Sequence, residues 1–188
     1  MSEISNLQFK FPPGSILLVN GNSFVSQGIK IYSKLFQKYE NKYLCNHAAL
    51  IHNSGIIYES NAKGNEPRHI TKYTNEDYKF WIFTNKNLAV ENYNLGFSYS
   101  TGALGRKYDY SGFIRFLFKV FPQAKYKDFC SEFATTTARE YYKLQVCPGV
   151  DAFEVTPTDM LYYFLIDGEK DGWYLIGYWN GKEILNTY

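Results

Sequence analysis

Three residues of this 188-residue chain have side chains that together support acyl transfer: His47, Glu59 and Cys130. Cys130 stands in Tyr126-Lys127-Asp128-Phe129-Cys130-Ser131-Glu132-Phe133, at the expected start of a helix. The first turn of a helix leaves N–H groups unpaired and carries partial positive charge. Both favour a thiolate, and the same N–H groups can hold an oxyanion. His47 stands in Cys45-Asn46-His47-Ala48-Ala49-Leu50-Ile51, a strand-like run where an imidazole must find a polar partner. Glu59, in Ile56-Ile57-Tyr58-Glu59-Ser60, belongs to the next strand-like run. A nucleophile, a base and an orienting carboxylate are the parts of a cysteine-dependent acyl-transfer site. Taken singly, each residue also has a plain structural reading. A cysteine is commonly a small buried hydrophobe, and a strand histidine is commonly a satisfied core residue.

The elements around these residues decide whether they meet. Asn53-Ser54-Gly55 separates the runs at 44–52 and 56–60 and reads as a hairpin turn. With a three-residue loop, His52 pairs with Ile56 and Ala49 pairs with Glu59. Side chains alternate along a strand, so His47 then shares a face with Glu59 as its diagonal neighbour, within reach of long side chains. A two-residue loop breaks this geometry.

Elsewhere, Pro12-Pro13-Gly14 is a turn leading into a short buried strand at 15–19. Asn20-Gly21-Asn22-Ser23 turns the chain, and Ser26 caps an expected helix with Ile29, Tyr32, Leu35, Phe36 and Tyr39 on one side. A strand at 80–84 follows a polar stretch, residues 88–99 are weakly helical, and 102–107 is a glycine-containing loop. Ser111 caps an expected helix at 113–120, and a longer helix runs from Cys130 to about 144. Thr156-Pro157-Thr158-Asp159 starts another helix, and residues 173–185 form a hairpin around Asn180-Gly181. Consecutive strands joined by tight turns imply an antiparallel sheet, and the class is α+β. The length suits a single domain over 1–188, with a core at about 13–165 and a C-terminal hairpin extension at about 173–188.

Composition narrows the function classes. Lys and Arg number 20 against 18 Asp and Glu, a net charge of +2, with no long basic run. This argues against a nucleic-acid partner. No apolar stretch reaches the ~18 residues of a membrane span. Met1-Ser2-Glu3-Ile4-Ser5-Asn6 lacks the start of a secretory signal. The expectation is a cytoplasmic protein, with a phage or host-delivered role left open. Three cysteines are too few and too odd for a disulfide framework. The 18 Tyr, 15 Phe and 3 Trp fit either an aromatic core or an aromatic-lined groove for a lipid or glycan. A zinc site from Cys45, His47 and His52 is disfavoured, because on one strand position 52 faces away from the other two. His69 reads as a solvated loop residue and Cys147 as structural. No glycine-rich phosphate loop follows a strand, so no nucleotide cofactor is expected.

The sequence resembles the permuted papain-like amidases of the YaeF/YiiX type, the circularly permuted branch of the NlpC superfamily. Pro13-Gly14-Ser15-Ile16-Leu17-Leu18-Val19 resembles the family's opening Gly-Asp-Ile-Leu strand, with Ser15 where the family has Asp. Asn46-His47-Ala48-Ala49-Leu50-Ile51 resembles its histidine strand, and Ile57-Tyr58-Glu59-Ser60 the following strand with the acidic partner. Phe129-Cys130-Ser131-Glu132-Phe133 resembles its nucleophile motif. Gly105-Arg106-Lys107-Tyr108-Asp109 and Val155-Thr156-Pro157-Thr158-Asp159 resemble flanking segments. Together the matches span about residues 13–160, and the order His, Glu, Cys is what a circular permutation of a papain-like arrangement produces.

The resemblance implies a papain-like fold with an antiparallel sheet and the nucleophile helix packed against it. It implies Cys130 as nucleophile, His47 as general base and Glu59 as its orienter, with Tyr108 and Ser131 in oxyanion or substrate contacts. Glu132 matches the motif and is read as a structural hydrogen-bonding residue. The implied activity is hydrolysis of an amide bond in a peptide, peptidoglycan-type or lipid-linked substrate, through a thioester, with no metal and no cofactor. The alternatives are an acyltransferase or thioesterase using the same pair, and a non-catalytic binding module. Residues 61–79 are long enough to cover the site.

Overall fold

The computed structural model describes residues 11–21, 39–53, 55–109 and 127–186. The helices expected around 26–39 and 113–120 lie outside these residues, apart from Tyr39. In chain order the elements are β1 (Ile16–Asn20), β2 (His47–Asn53), β3 (Ile56–Asn61), β4 (Gly64–His69), β5 (Lys79–Asn85), α1 (Val90–Gly102), β6 (Lys107–Tyr108), β7 (Lys127–Asp128), α2 (Cys130–Thr136), α3 (Pro157–Ile166), β8 (Trp173–Trp179) and β9 (Ile184–Asn186). Seven strands form one antiparallel sheet in the order β4-β3-β2-β1-β5-β8-β9, and β6 and β7 pair in parallel beside it. The class is α+β, as expected.

β1 is an unbroken apolar run because both faces of the sheet are covered there. Ile16 and Leu18 join Ala48, Leu50 and Phe83 against Phe133 and Ala134 of α2 and Met160, Leu161 and Phe164 of α3. Leu17 and Val19 join Ala49, Ile51, Ile57, Phe80, Ile82 and Trp179 on the other face, with Ile70 and Tyr73 from the turn after β4. Removing a side chain such as Leu18, which is fully buried, costs about 2–5 kcal/mol in a Leu→Ala change.

The β2–β3 register departs from the expected turn and still reaches the expected pairing. Asn53, not His52, pairs with Ile56, so the connection is one residue shorter than expected. A bulge between Ile51 and Asn53 absorbs the difference, and Ala49 pairs with Glu59. The extra residue of a bulge restores the alternation that a shorter loop inverts.

Two further expectations are corrected. The polar stretch before residue 80 contains a strand, β4, and His69 ends it rather than lying in a solvated loop; its side chain accepts a hydrogen bond from the Thr71 N–H. β4 is an edge strand, where Pro67 is tolerated because it has no N–H to leave unpaired. The helix from Cys130 is α-helical only to Thr136 and continues as a π-helical turn, Thr137–Tyr141. Three consecutive threonines, with the Thr137 hydroxyl bonded back to the Phe133 carbonyl at 2.8 Å, weaken the regular ladder there. The C-terminal hairpin belongs to the main sheet, since β8 pairs with β5 from Phe80 to Asn85.

Candidate active site

His47 is the first residue of β2, and Glu59 is near the end of β3, so the register sets them diagonally across two paired strands. His47 Nε2 donates to Glu59 Oε2 at 2.9 Å. Glu59 is fully buried, and four donors satisfy its two oxygens. Tyr73 Oη joins His47 on Oε2 at 2.5 Å, while Asn61 Nδ2 and Lys72 Nζ each reach Oε1 at 2.8 Å. Burial by itself raises a carboxyl's pKa, but the bonds to His47, Lys72 and Tyr73 overcome it and hold Glu59 well below the usual carboxylate range. Burial and the adjacent Glu59 charge push the Tyr73 phenol far up, so it remains a donor.

Cys130 opens α2, which lies against β2 and β3. Its sulfur lies close enough to the His47 ring to raise that ring's pKa. Nε2 is committed to Glu59, so Nδ1 is the ring nitrogen left to face the sulfur. Burial alone lowers the His47 pKa, but the sulfur and the carboxylate more than offset it and push the ring up to about 10. The His47 side chain keeps 16% of its surface exposed, against 1% for Cys130. The imidazole is thus the more open member of the pair.

Hydrogen bonds pin the chain immediately before Cys130. Ser60 Oγ donates to the Asp128 carbonyl at 2.7 Å, and Asn65 Nδ2 donates to the Asp128 carboxylate at 2.6 Å. Phe129 N donates to Glu132 Oε2 at 3.4 Å. That is the backbone-directed role expected for Glu132. Tyr108 lies in a small buried cluster with Phe129 and Cys130. β6 carries it, and the preceding loop is docked on β4 by Asn65 N to the Arg106 carbonyl at 2.9 Å. Gly64 permits this approach, since its φ is +107° and a Cβ there would lie 2.3 Å from the Arg106 carbonyl oxygen.

Ser131 is buried, and its hydroxyl donates to the Val155 carbonyl at 2.6 Å. Its side chain therefore fastens α2 to the segment before α3, and its N–H, in the first helical turn, is what can face a substrate. Ser15 is buried and donates to the Pro12 carbonyl at 2.6 Å.

The structure therefore brings His47, Glu59, Cys130 and Tyr108 to one end of the sheet and turns the Ser131 hydroxyl away. Lys72 and Tyr73 were not anticipated. They come from the 3₁₀ turn Ile70–Tyr73, inside the stretch read as a cover for the site. The one signal in the sequence is the apolar spacing of Ile70 and Tyr73, which share a side of a 3₁₀ turn.

The other cysteines and His52 are occupied elsewhere. Cys45 is fully buried, its thiol pushed up to about 12 by burial, and it donates to the Val19 carbonyl at 3.1 Å. Cys147 is buried in a loop whose carbonyls are gathered by Arg139, and burial pushes its thiol up to about 12 as well. His52 bonds to the Tyr93 hydroxyl and stacks on Phe97.

The fold and site define an α+β protein with a seven-stranded antiparallel sheet, at one end of which a cysteine, a histidine and a buried glutamate converge. Among solved structures, the chain is similar to metalloprotein YiiX from Escherichia coli O157:H7, with a TM-score of 0.54 and 14% identity, covering 95% of this chain and 89% of that one. At this identity the similarity speaks for a YiiX-like fold. No family model matches the sequence, and no curated protein matches it.

Proposed function

We propose that this protein is a cysteine-dependent hydrolase of the permuted papain-like type, cleaving an amide bond through a thioester, within one domain that includes the C-terminal hairpin. One observation carries the reading: Cys130, at the first position of a helix, acts electrostatically on a histidine whose Nε2 is held by a buried carboxylate. The Cys130 thiolate attacks the carbonyl carbon and a C–S bond forms. The first-turn N–H groups of Cys130 and Ser131 take the oxyanion. The C–N bond breaks as the His47 imidazolium gives its proton to the leaving amine. His47 then takes a proton from water, hydroxide attacks the thioester carbonyl, and the acid leaves as the thiolate is restored.

The YiiX neighbour is named a metalloprotein. The residues here do not suit a metal. Among the described residues, no three His, Cys, Asp or Glu side chains gather into a metal-holding group. Both Glu59 oxygens already accept from other donors, one of them the Lys72 ammonium. No step is routed through a metal.

The test is the pH dependence of Cys130 alkylation by iodoacetamide in the parent and in His47→Ala. Reaction well below the ordinary thiol pKa of about 8.5, lost in His47→Ala, establishes the pair. An unreactive Cys130, or a free-thiol profile in both proteins, removes the catalytic reading. A panel of peptide, peptidoglycan-type and lipid-linked amides, with and without an amine acceptor, then separates hydrolysis from acyl transfer.

A further inference from the structure

The charge arrangement behind Glu59 goes beyond what an orienting carboxylate needs. A surface lysine ordinarily keeps its ammonium in water. The Lys72 side chain is 40% exposed, yet its ammonium is turned inward onto Oε1 of a carboxylate with no exposure, at 2.8 Å. The turn that carries it is anchored on both sides. Ile70 and Tyr73 are buried beneath it, Ile70 N donates to the Gly55 carbonyl at 2.8 Å, and Thr74 N donates to the Thr71 carbonyl at 3.2 Å. The ammonium also lies 4.9 Å from the centre of the Tyr73 ring, a cation–π contact. Glu59 therefore has a cation on each oxygen whenever His47 is protonated.

We propose that Lys72 is a positioning residue that sets the acid strength of His47 through Glu59. The inference deepens the hydrolase reading and rests on it for its catalytic meaning. An uncompensated buried carboxylate would hold the imidazolium too tightly to release its proton to a leaving amine. The Lys72 charge neutralises part of Glu59, leaving it an orienter with a weaker pull on the proton. A positive charge at the far end of the carboxylate lowers the titration of the imidazolium at the near end by about one pH unit.

Among the described residues, the other groups facing His47 come from three elements. Cys130 comes from α2, Glu59 from β3 and the Tyr73 ring, 5.9 Å away, from the turn. Behind Glu59, Asn61 Nδ2 also donates to Glu66 on β4 at 2.8 Å, and Glu66 is paired with Arg68 at 2.7 Å. That pair is joined to Glu59 through Asn61 and its Arg68 charge also acts on Glu59, but among the described residues Lys72 is the cation in direct contact with a Glu59 oxygen from outside His47.

The test follows the His47 ring by NMR titration in a Cys130→Ser background, where no thiolate contributes, and compares Lys72→Met and Lys72→Arg with the same protein carrying Lys72. The expected result is an upward shift of about one pH unit in Lys72→Met and a shift under half that in Lys72→Arg. With Cys130 present, the basic limb of the alkylation profile moves up with it. A lysine that only balances buried charge would lower the melting temperature in Lys72→Met and leave the His47 titration in place. That outcome, or a downward shift, overturns the proposal. If Lys72→Met does not fold, Lys72→Gln removes the charge while keeping a donor for Oε1, and is read the same way. A His47 shift alongside a parent Cys130 that shows no His47-dependent reactivity sustains the role of Lys72 and removes the hydrolase reading, so the two fail separately.

Discussion

His47 and His52 stand five residues apart on one strand, and their acid strengths move in opposite directions. Burial disfavours the charged form of both. At His52 nothing opposes it: the partners are the Tyr93 hydroxyl and the Phe97 ring, stacked at 4.0 Å, and the ring is held below its ordinary value. At His47 burial is overcome by the Cys130 sulfur and the Glu59 carboxylate, and the ring goes up. The difference lies in what the neighbouring strand and helix deliver. An anion placed within hydrogen-bonding distance outweighs the desolvation that buries it.

The largest break in this comparison comes from Glu59→Gln. His47 loses one of the two groups that raise it, and the ring titrates lower than in the parent. Low-pH alkylation of Cys130 is expected to fall, because a less basic His47 is a weaker partner for the thiolate. Leaving the half-exposed Lys72 without its carboxylate costs about 1 kcal/mol in a denaturant melt. His52 is expected to titrate as before; if it moves with His47, the two environments are not independent.

Next is the pH dependence of stability. The His47 pKa is raised on folding, so its contribution is fully present below the unfolded value of about 6.5. It is lost as the pH rises towards about 10. The melting temperature of the parent should therefore decline across that window, and His47→Gln should flatten the decline. His52 has the opposite sign. Its depressed pKa costs stability as the pH falls below about 6.5, so His52→Phe, which keeps a ring on Phe97, should flatten the acid side alone.

Tyr93→Phe is a smaller probe. It removes the hydroxyl from His52 and is expected to cost about 1 kcal/mol, with alkylation of Cys130 unchanged in rate and pH profile. A change at Cys130 would mean that the two ends of β2 are coupled. Smallest is Thr156→Ala. Thr156 Oγ1 accepts from Asp159 N at 3.1 Å and caps α3. Its loss is expected to cost about 1 kcal/mol or less and to leave both histidine titrations in place by NMR.

Much of the frame around the site is legible in the residues. Residues 15–19 read as a buried strand, and Thr156-Pro157 reads as a helix start; the strand is observed at Ile16–Asn20 and the helix from Pro157. The Ala49–Glu59 pairing is also read from the sequence, but through a turn that does not form. The loop is shorter, and the bulge at His52 makes up the missing residue. β4 is not legible because an edge strand carrying Pro67, Arg68 and His69 lacks the alternating apolar pattern that marks strands. The length of α2 is overread, although the run Thr135-Thr136-Thr137 is a visible warning.

By itself the sequence determined an α+β chain and marked Cys130, His47 and Glu59 as its chemistry-bearing candidates, because residue type, strand alternation and helix starts are local properties. Only the tertiary structure decided how they are held. Lys72 and Tyr73 reach Glu59 from the turn after β4, the Ser131 hydroxyl is taken by the Val155 carbonyl, and His47 rather than His52 receives the anion. Those outcomes depend on which groups meet across strands and helices, and a buried charge takes its properties from such partners more than from its neighbours along the chain.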